Sequence, residues 1–134
     1  MQRHYEVEMR LDVKTPMRDG VELSSDLYLP VAAGESFPTI LMRTPYNNNL
    51  DRFISKARTL ANDGYACVLQ DVRGRWDSQG QFYPFVDEPE DGFDTQQWIG
   101  NQPWSNGKIG MFGASYLACV QWMSAPLRSE FLTC

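Results

Sequence analysis

The hydrophobic pattern of this chain changes period near residue 37, and that change restricts the fold more than any other feature. Before it, Tyr5, Val7, Met9, Leu11 and Val13 are separated by charged residues, the alternation of a strand buried on one face. Residues 17–20, Met-Arg-Asp-Gly, read as a hairpin turn, for which Asp-Gly is a strong signal. Val21 and Leu23, then Leu27 and Leu29 after a phase break at 24–26, form a second strand that closes at Pro30. The two are expected to pair antiparallel at a sheet edge. From residue 37 onward the apolar runs are continuous: 37–42, 65–69 and 109–112. Strands of that kind are covered on both faces. Between the first two lies a helical pattern over 51–61, with Phe53, Ile54, Ala57, Leu60 and Ala61 on one face and Asn-Asp-Gly at 62–64 as a left-handed cap. A second helix is expected over about 87–100, after a long Gly- and Ser-containing loop from Asp71 to Val86. Repeated strand–helix units imply a parallel sheet with right-handed crossovers. The expected class is α/β: an antiparallel edge hairpin followed by parallel strand–helix units.

Composition narrows the function. The chain has 134 residues and a net charge of −5, with 43% hydrophobic and 22% charged residues, which is ordinary for one globular domain. An acidic chain with no extended basic stripe makes nucleic acid an unsuitable partner. No apolar run reaches the ~18 residues of a membrane span. The first residues, Met-Gln-Arg-His-Tyr-Glu, lack the apolar centre of a signal peptide, so a cytoplasmic location is the expectation. Cys67, Cys119 and Cys134 are odd in number and lie in apolar stretches. They read as buried free thiols and not as a disulfide frame. No ligand-type residues sit at a zinc-binding spacing.

The chemistry concentrates at residues 109–122. The run Ile109-Gly110-Met111-Phe112 leads into Gly113-Ala114-Ser115, and helix-compatible residues follow at once. A serine at a sharp strand-to-helix turn is the nucleophile elbow of α/β-hydrolases. The turn lifts the hydroxyl out of the sheet's carboxyl edge, and the helix start aims backbone N–H groups at an oxyanion formed beside it. The bland alternative is a plain N-cap. Placement at the carboxyl end of the third parallel strand, where open α/β sheets bind ligands, favours the chemical reading. Tyr46 follows another parallel strand at the same edge, where a phenol hydroxyl can donate to an oxyanion or the ring can simply pack on the loop.

Other polar groups read as structural. Asp87 with Glu90 has the spacing of a capping box, while Asp91 and Asp94 favour the helix's positive end. Asp71 and Arg73, just beyond a strand end, either belong to the site or form a loop-ordering ion pair, and the ion pair is the expectation. Trp76, Phe82, Tyr83 and Phe85 either line a pocket or pin the long loop.

Taken together, Met17-Arg18-Asp19-Gly20-Val21 with Asp26-Leu27-Tyr28, Arg43-Thr44-Pro45-Tyr46, Asp71-Val72-Arg73-Gly74, residues 78–82 (Ser-Gln-Gly-Gln-Phe) and Gly110–Tyr116 resemble the cocaine esterase / X-Pro dipeptidyl-peptidase family of serine hydrolases. The resemblance runs from Met17 onward, with one departure: Ala118 stands where the family has Gly. It implies an α/β-hydrolase fold and cleavage of an ester, amide or peptide bond in a small-molecule substrate, without a cofactor. By position, Ser115 is the nucleophile, and the Tyr46 hydroxyl and Tyr116 backbone N–H form the oxyanion hole. The fold's order is Ser, acid, His, yet the sole histidine, His4, precedes the serine. Residues 1–134 are therefore expected to be the N-terminal portion of a catalytic domain, inactive alone. Phe131 to Cys134 resemble the start of a further strand. The alternatives are a truncated, non-catalytic binding module of the same fold and a flavodoxin-like module; the second lacks phosphate-cradling glycines after its first parallel strand.

Overall fold

A computed structural model describes residues 3–134. Strands β1 (Val7–Pro16) and β2 (Glu22–Pro30) form the expected antiparallel hairpin. Its turn is closed by Met17 N–H to the Val21 carbonyl at 2.8 Å and Gly20 N–H to the Met17 carbonyl at 3.0 Å, with Gly20 at φ 86°. Then follow β3 (Phe37–Thr44), α1 (Asp51–Asn62), β4 (Ala66–Asp71), α2 (Glu88–Gly100), β5 (Ser105–Met111) and α3 (Tyr116–Ser124). The sheet order is β1-β2-β4-β3-β5, with β4, β3 and β5 parallel. This is the α/β architecture expected from the change of pattern at residue 37.

Continuous apolar strands serve two faces at once. Leu41 and Val68 point to one side of the sheet, where they meet Leu27, Ile99 of α2 and Ile109. Their neighbours Met42 and Leu69 point to the other, against Ala57 and Ala61 of α1 and Leu117 of α3. Helix α1 buries the face expected of it. Helices α2 and α3 approach closely: a Cβ on Gly92 would stand 2.7 Å from the Ser124 Cβ.

The sheet edge departs from expectation. Met9 and Leu11 are exposed, at 44% and 60%. A β-bulge between Arg10 and Val13, with Asp12 at φ 52°, bends the edge strand. Asp26 holds the bulge by accepting the Asp12 N–H at 2.8 Å. There is no phase break in β2, which pairs continuously on one side; Ser25 is buried and bonded to Thr15 at 2.9 Å. Only one of the three thiols is buried. Burial pushes Cys67 up to about 12, whereas Cys119 lies off the inner face of α3 (Tyr116, Leu117, Val120) and is exposed with Cys134. The segment after α3 does begin to pair with β5: Ile109 bridges Leu132 in parallel, and Met111 N–H reaches the Cys134 carbonyl at 2.8 Å.

Candidate active site

Strand order explains why two residues 69 positions apart meet. From β3 the chain passes through α1 to β4 on one side, then crosses to β5 on the other. Such a reversal opens a crevice at the carboxyl ends of the strands. Tyr46 lies just beyond β3 and Ser115 just beyond β5, so neighbouring parallel strands deliver both to one place. The Tyr46 Oη and Ser115 Oγ are 3.0 Å apart.

The turn into α3 is tight and strained. Gly113 sits at φ 144°, and a Cβ there would stand 2.3 Å from the Leu117 Cβ, so the helix can start this close to the strand only over glycine. Ser115 has φ 59° and ψ −128°, a conformation that costs an L-residue ~1–3 kcal/mol. An N-capping serine would bond its hydroxyl to a first-turn N–H. Ser115 makes no such bond; its Oγ faces Tyr46 instead. Its carbonyl accepts the Ala118 and Cys119 N–H groups at 3.0 and 3.2 Å. That leaves the Tyr116 N–H at the helix's open, positive end.

The Tyr46 loop is fixed by hydrogen bonds. Thr44 Oγ1 accepts the Tyr46 N–H at 2.9 Å. The Pro45 carbonyl accepts from Arg75 Nε at 3.0 Å and Trp76 Nε1 at 3.2 Å. Asp71 Oδ1 accepts the Asn48 N–H at 2.8 Å. Burial pushes the Asp71 carboxyl up to about 6, the Asn48 N–H opposing it, and Asp71 Oδ2 has no partner among the described residues.

The Tyr116 side chain turns away from the crevice. Its hydroxyl donates to Glu88 Oε1 at 3.1 Å and accepts the Phe85 N–H at 3.2 Å, with the Phe85 ring stacked on its own at 4.7 Å. Burial raises the phenol to about 12. Glu88 Oε2 in turn accepts from Arg43 Nη1 at 2.6 Å, and Arg43, fully buried on β3, also donates to Gln70 at 2.7 Å. The residue after Ser115 is thus tied to strand β3 through a buried ion pair.

Two expectations about charges fail. Asp87 is helical in backbone and makes no cap hydrogen bond, so there is no capping box; α2 begins at Glu88, and the acids of its first turns serve distant arginines. Arg73 does not pair with Asp71. It bonds Asp91 at 2.7 Å and Asp19 at 2.8 Å, because Asp71, the last residue of β4, faces the Tyr46 loop while Arg73 faces the β1–β2 turn. A signal for Glu88 was present: an arginine inside an apolar strand needs a carboxylate from elsewhere.

Ser115 and Tyr46 open onto a cavity of about 390 Å³ whose apolar wall is Met42, Phe53, Phe112 and Leu117. The loop aromatics are not in that wall. Trp76 and Phe85 pin the long loop, to Pro45 and to Tyr116. His4 lies 3.5 Å from Asp63 at the far end of α1. Among the described residues no group of three or more His, Cys, Asp or Glu is arranged to hold a metal, and no helix is long and apolar enough to cross a membrane.

Residues 19–134 match the X-Pro dipeptidyl-peptidase (S15) family. The chain belongs to that family. This S15 chain is 45% identical over 119 residues to a cocaine esterase of Rhodococcus sp. (strain MB1 Bresler), covering 85% of the chain and 20% of that relative. A CocE/NonD family hydrolase from Staphylococcus aureus superposes with a TM-score of 0.84 at 27% identity, over 95% of the S15 chain and 26% of the other. An α-amino acid ester hydrolase superposes with a TM-score of 0.76 at 31% identity, over 92% and 24% respectively. The S15 chain therefore spans about a fifth to a quarter of the length of these proteins, and its sheet is that of an α/β-hydrolase.

Proposed function

We propose that these 134 residues are the N-terminal portion of the catalytic domain of a serine hydrolase that cleaves ester or amide bonds through an acyl-enzyme at Ser115. The observation that carries this reading is the 3.0 Å contact between Ser115 Oγ and the Tyr46 hydroxyl at the mouth of the cavity, with Ser115 strained and its side chain making no capping bond. Strain of this kind persists where the surrounding structure enforces it, and such places are commonly sites of function.

In this mechanism Ser115 Oγ attacks the substrate carbonyl carbon and its proton passes to a histidine base. The carbonyl oxygen becomes an oxyanion, held by the Tyr46 hydroxyl and the Tyr116 backbone N–H. Collapse breaks the bond to the leaving alcohol or amine, which takes the proton from the histidine, and water then releases the acyl group by the same steps in reverse roles. The base is not His4, which is held near Asp63. It comes, with its acid partner, from chain outside these 134 residues, in keeping with relatives four to five times as long. The substrate is a small ester, amide or peptide, as the names of the cocaine esterase and the α-amino acid ester hydrolase suggest. A non-catalytic binding module of the same fold is the second reading; among the described residues His4 lies beside Asp63 and not beside Ser115.

A fluorophosphonate probe on the full-length protein separates the two. Labelling is expected at Ser115 and is lost in Ser115→Ala; labelling that survives the substitution removes Ser115 as nucleophile, and no labelling of the native protein supports the binding module.

A further inference from the structure

Glu88 is the first residue of α2 and lines no part of the cavity, yet its carboxylate joins the two arms of the site. Its Oε2 accepts from Arg43 Nη1 at 2.6 Å, and its Oε1 accepts from the Tyr116 hydroxyl at 3.1 Å. Arg43 stands on β3, just before the loop that carries Tyr46, and Tyr116 opens α3 directly after Ser115. Of these supports β3 is the rigid one, paired in parallel with β4 on one side and β5 on the other. Arg43 is fixed further by donating its Nε to Gln70 at 2.7 Å, and Gln70 donates to Ser25 Oγ at 3.2 Å. Ser25 meets Thr15 at 2.9 Å. A buried polar line therefore runs from β1 across β2, β4 and β3 to Glu88, and it ends on the Tyr116 hydroxyl.

Packing does not ask for this arrangement. The Tyr116 ring already has an apolar bed of Val72, Val120 and Phe82, with the Phe85 ring stacked at 4.7 Å. A phenylalanine would fill that bed equally well. Nor does stability ask for it, since apolar groups of similar volume often match or better a buried ion pair. What the trio adds is direction. Hydrogen bonds to an ionised acceptor are short, strong and geometrically specific. The phenol is a long lever on the backbone of Tyr116, whose N–H is left at the open end of α3. Little else grips this turn: Gln121 Nε2 reaches the Gly113 carbonyl only at 3.3 Å.

We infer that Glu88 and the Tyr116 hydroxyl are positioning residues: they set the Tyr116 N–H against β3, the strand that delivers the Tyr46 hydroxyl, so that both donors meet one oxyanion. Neither group touches substrate or a reacting atom. The inference rests on the serine-hydrolase reading, which supplies the oxyanion. Its effect falls on the chemical step and not on binding, because a donor slightly out of place still admits the ligand but stabilises the developing charge poorly.

The test follows fluorophosphonate labelling of the full-length protein over a range of probe concentrations, which separates the maximal rate from the half-saturating concentration. Attack forms the Ser115 Oγ–phosphorus bond, expels fluoride and loads negative charge on the phosphoryl oxygen, where the two donors act. Tyr116→Phe keeps the ring, the backbone N–H and the Arg43–Glu88 pair. Its maximal rate is expected to fall about tenfold or more, as for one misaligned donor, with the half-saturating concentration within about twofold of native. Glu88→Gln should fall at least as far. Ile99→Val trims the core further along α2 without touching the trio; it should melt lower and label at the native rate. A native rate in either trio variant, a fall shared equally by Ile99→Val, a change confined to the half-saturating concentration, or failure of both trio variants to fold each overturns the inference and leaves Ser115 as nucleophile. No labelling of the native protein removes the serine-hydrolase reading, and with it the oxyanion that the two groups would serve.

Discussion

The loop after β3 and the turn after β5 deliver oxygen atoms to the same 3.0 Å contact, and they are fixed by opposite means. The Tyr46 loop runs from β3 to the start of α1 at Asp51 and is held by donors and acceptors arriving from Thr44, Asp71, Arg75 and Trp76. The Ser115 turn is held by shape, with Gly113 against Leu117, and by one buried ion pair acting through Tyr116. A loop fixed by many modest bonds loses little when one is changed. A turn fixed by one buried charge pair loses most of its support at once.

The largest expected effect therefore falls on the β5 side. Glu88→Ala strands the Arg43 guanidinium in the core, and breaking such a pair costs about 3–5 kcal/mol. Denaturant unfolding of the full-length protein should show a loss of that size, together with faster decay of fluorophosphonate reactivity; a loss under about 1 kcal/mol would mean that the pair does not support the turn.

Next is Tyr46→Phe, which removes one hydroxyl at the mouth of the cavity and leaves the loop's own bonds intact. Turnover should fall by roughly 10²–10³, the usual cost of one oxyanion donor. KM and the melting temperature should hardly move, since the bond is strongest to the charged transition state. Unchanged turnover would make Tyr46 a packing residue.

The smallest effect belongs to the carboxyl under the Tyr46 loop. Asp71 is raised to about 6 in the folded state from an ordinary value of 3.8. Its contribution to stability is thus complete below about pH 4 and is lost as pH rises through 6, because the folded state must then hold a poorly solvated carboxylate. Asp71→Asn keeps the oxygen that accepts the Asn48 N–H. It should stabilise the protein by ~1–2 kcal/mol at pH 7.5 and change little at pH 4, so that the melting temperature falls less between those values than in the native protein. A parallel pH profile for both would show that Asp71 titrates normally.

This contrast also marks what the sequence discloses. Continuous runs at 37–42 and 65–69 announce β3 and β4, the 51–61 pattern announces α1, and Gly-Ala-Ser after an apolar run announces the turn at Ser115. Each is written in residues next to one another. Glu88 and Arg43 are 45 positions apart, and the acid's local surroundings look like the start of a helix that wants negative charge anyway. Arg73 likewise passes over its neighbour Asp71 for Asp91 and Asp19. Local period fixes which face of an element is covered, but the partner of a buried charge depends on which elements the topology sets side by side. The exposed Met9 and Leu11 teach the same lesson in reverse, since one bulge at Asp12 spoils a clean alternation.

The backbone at Ser115 sets a price on the hydroxyl proposed as nucleophile. At φ 59° and ψ −128° the position suits a residue without a side chain. Ser115→Gly should therefore give a protein that melts higher than its parent, by the equivalent of about 1 kcal/mol or more, while having nothing left to acylate. Selection for thermal resistance alone would drift toward that inert variant, and a screen for robust forms of this protein has to read reactivity alongside heat tolerance.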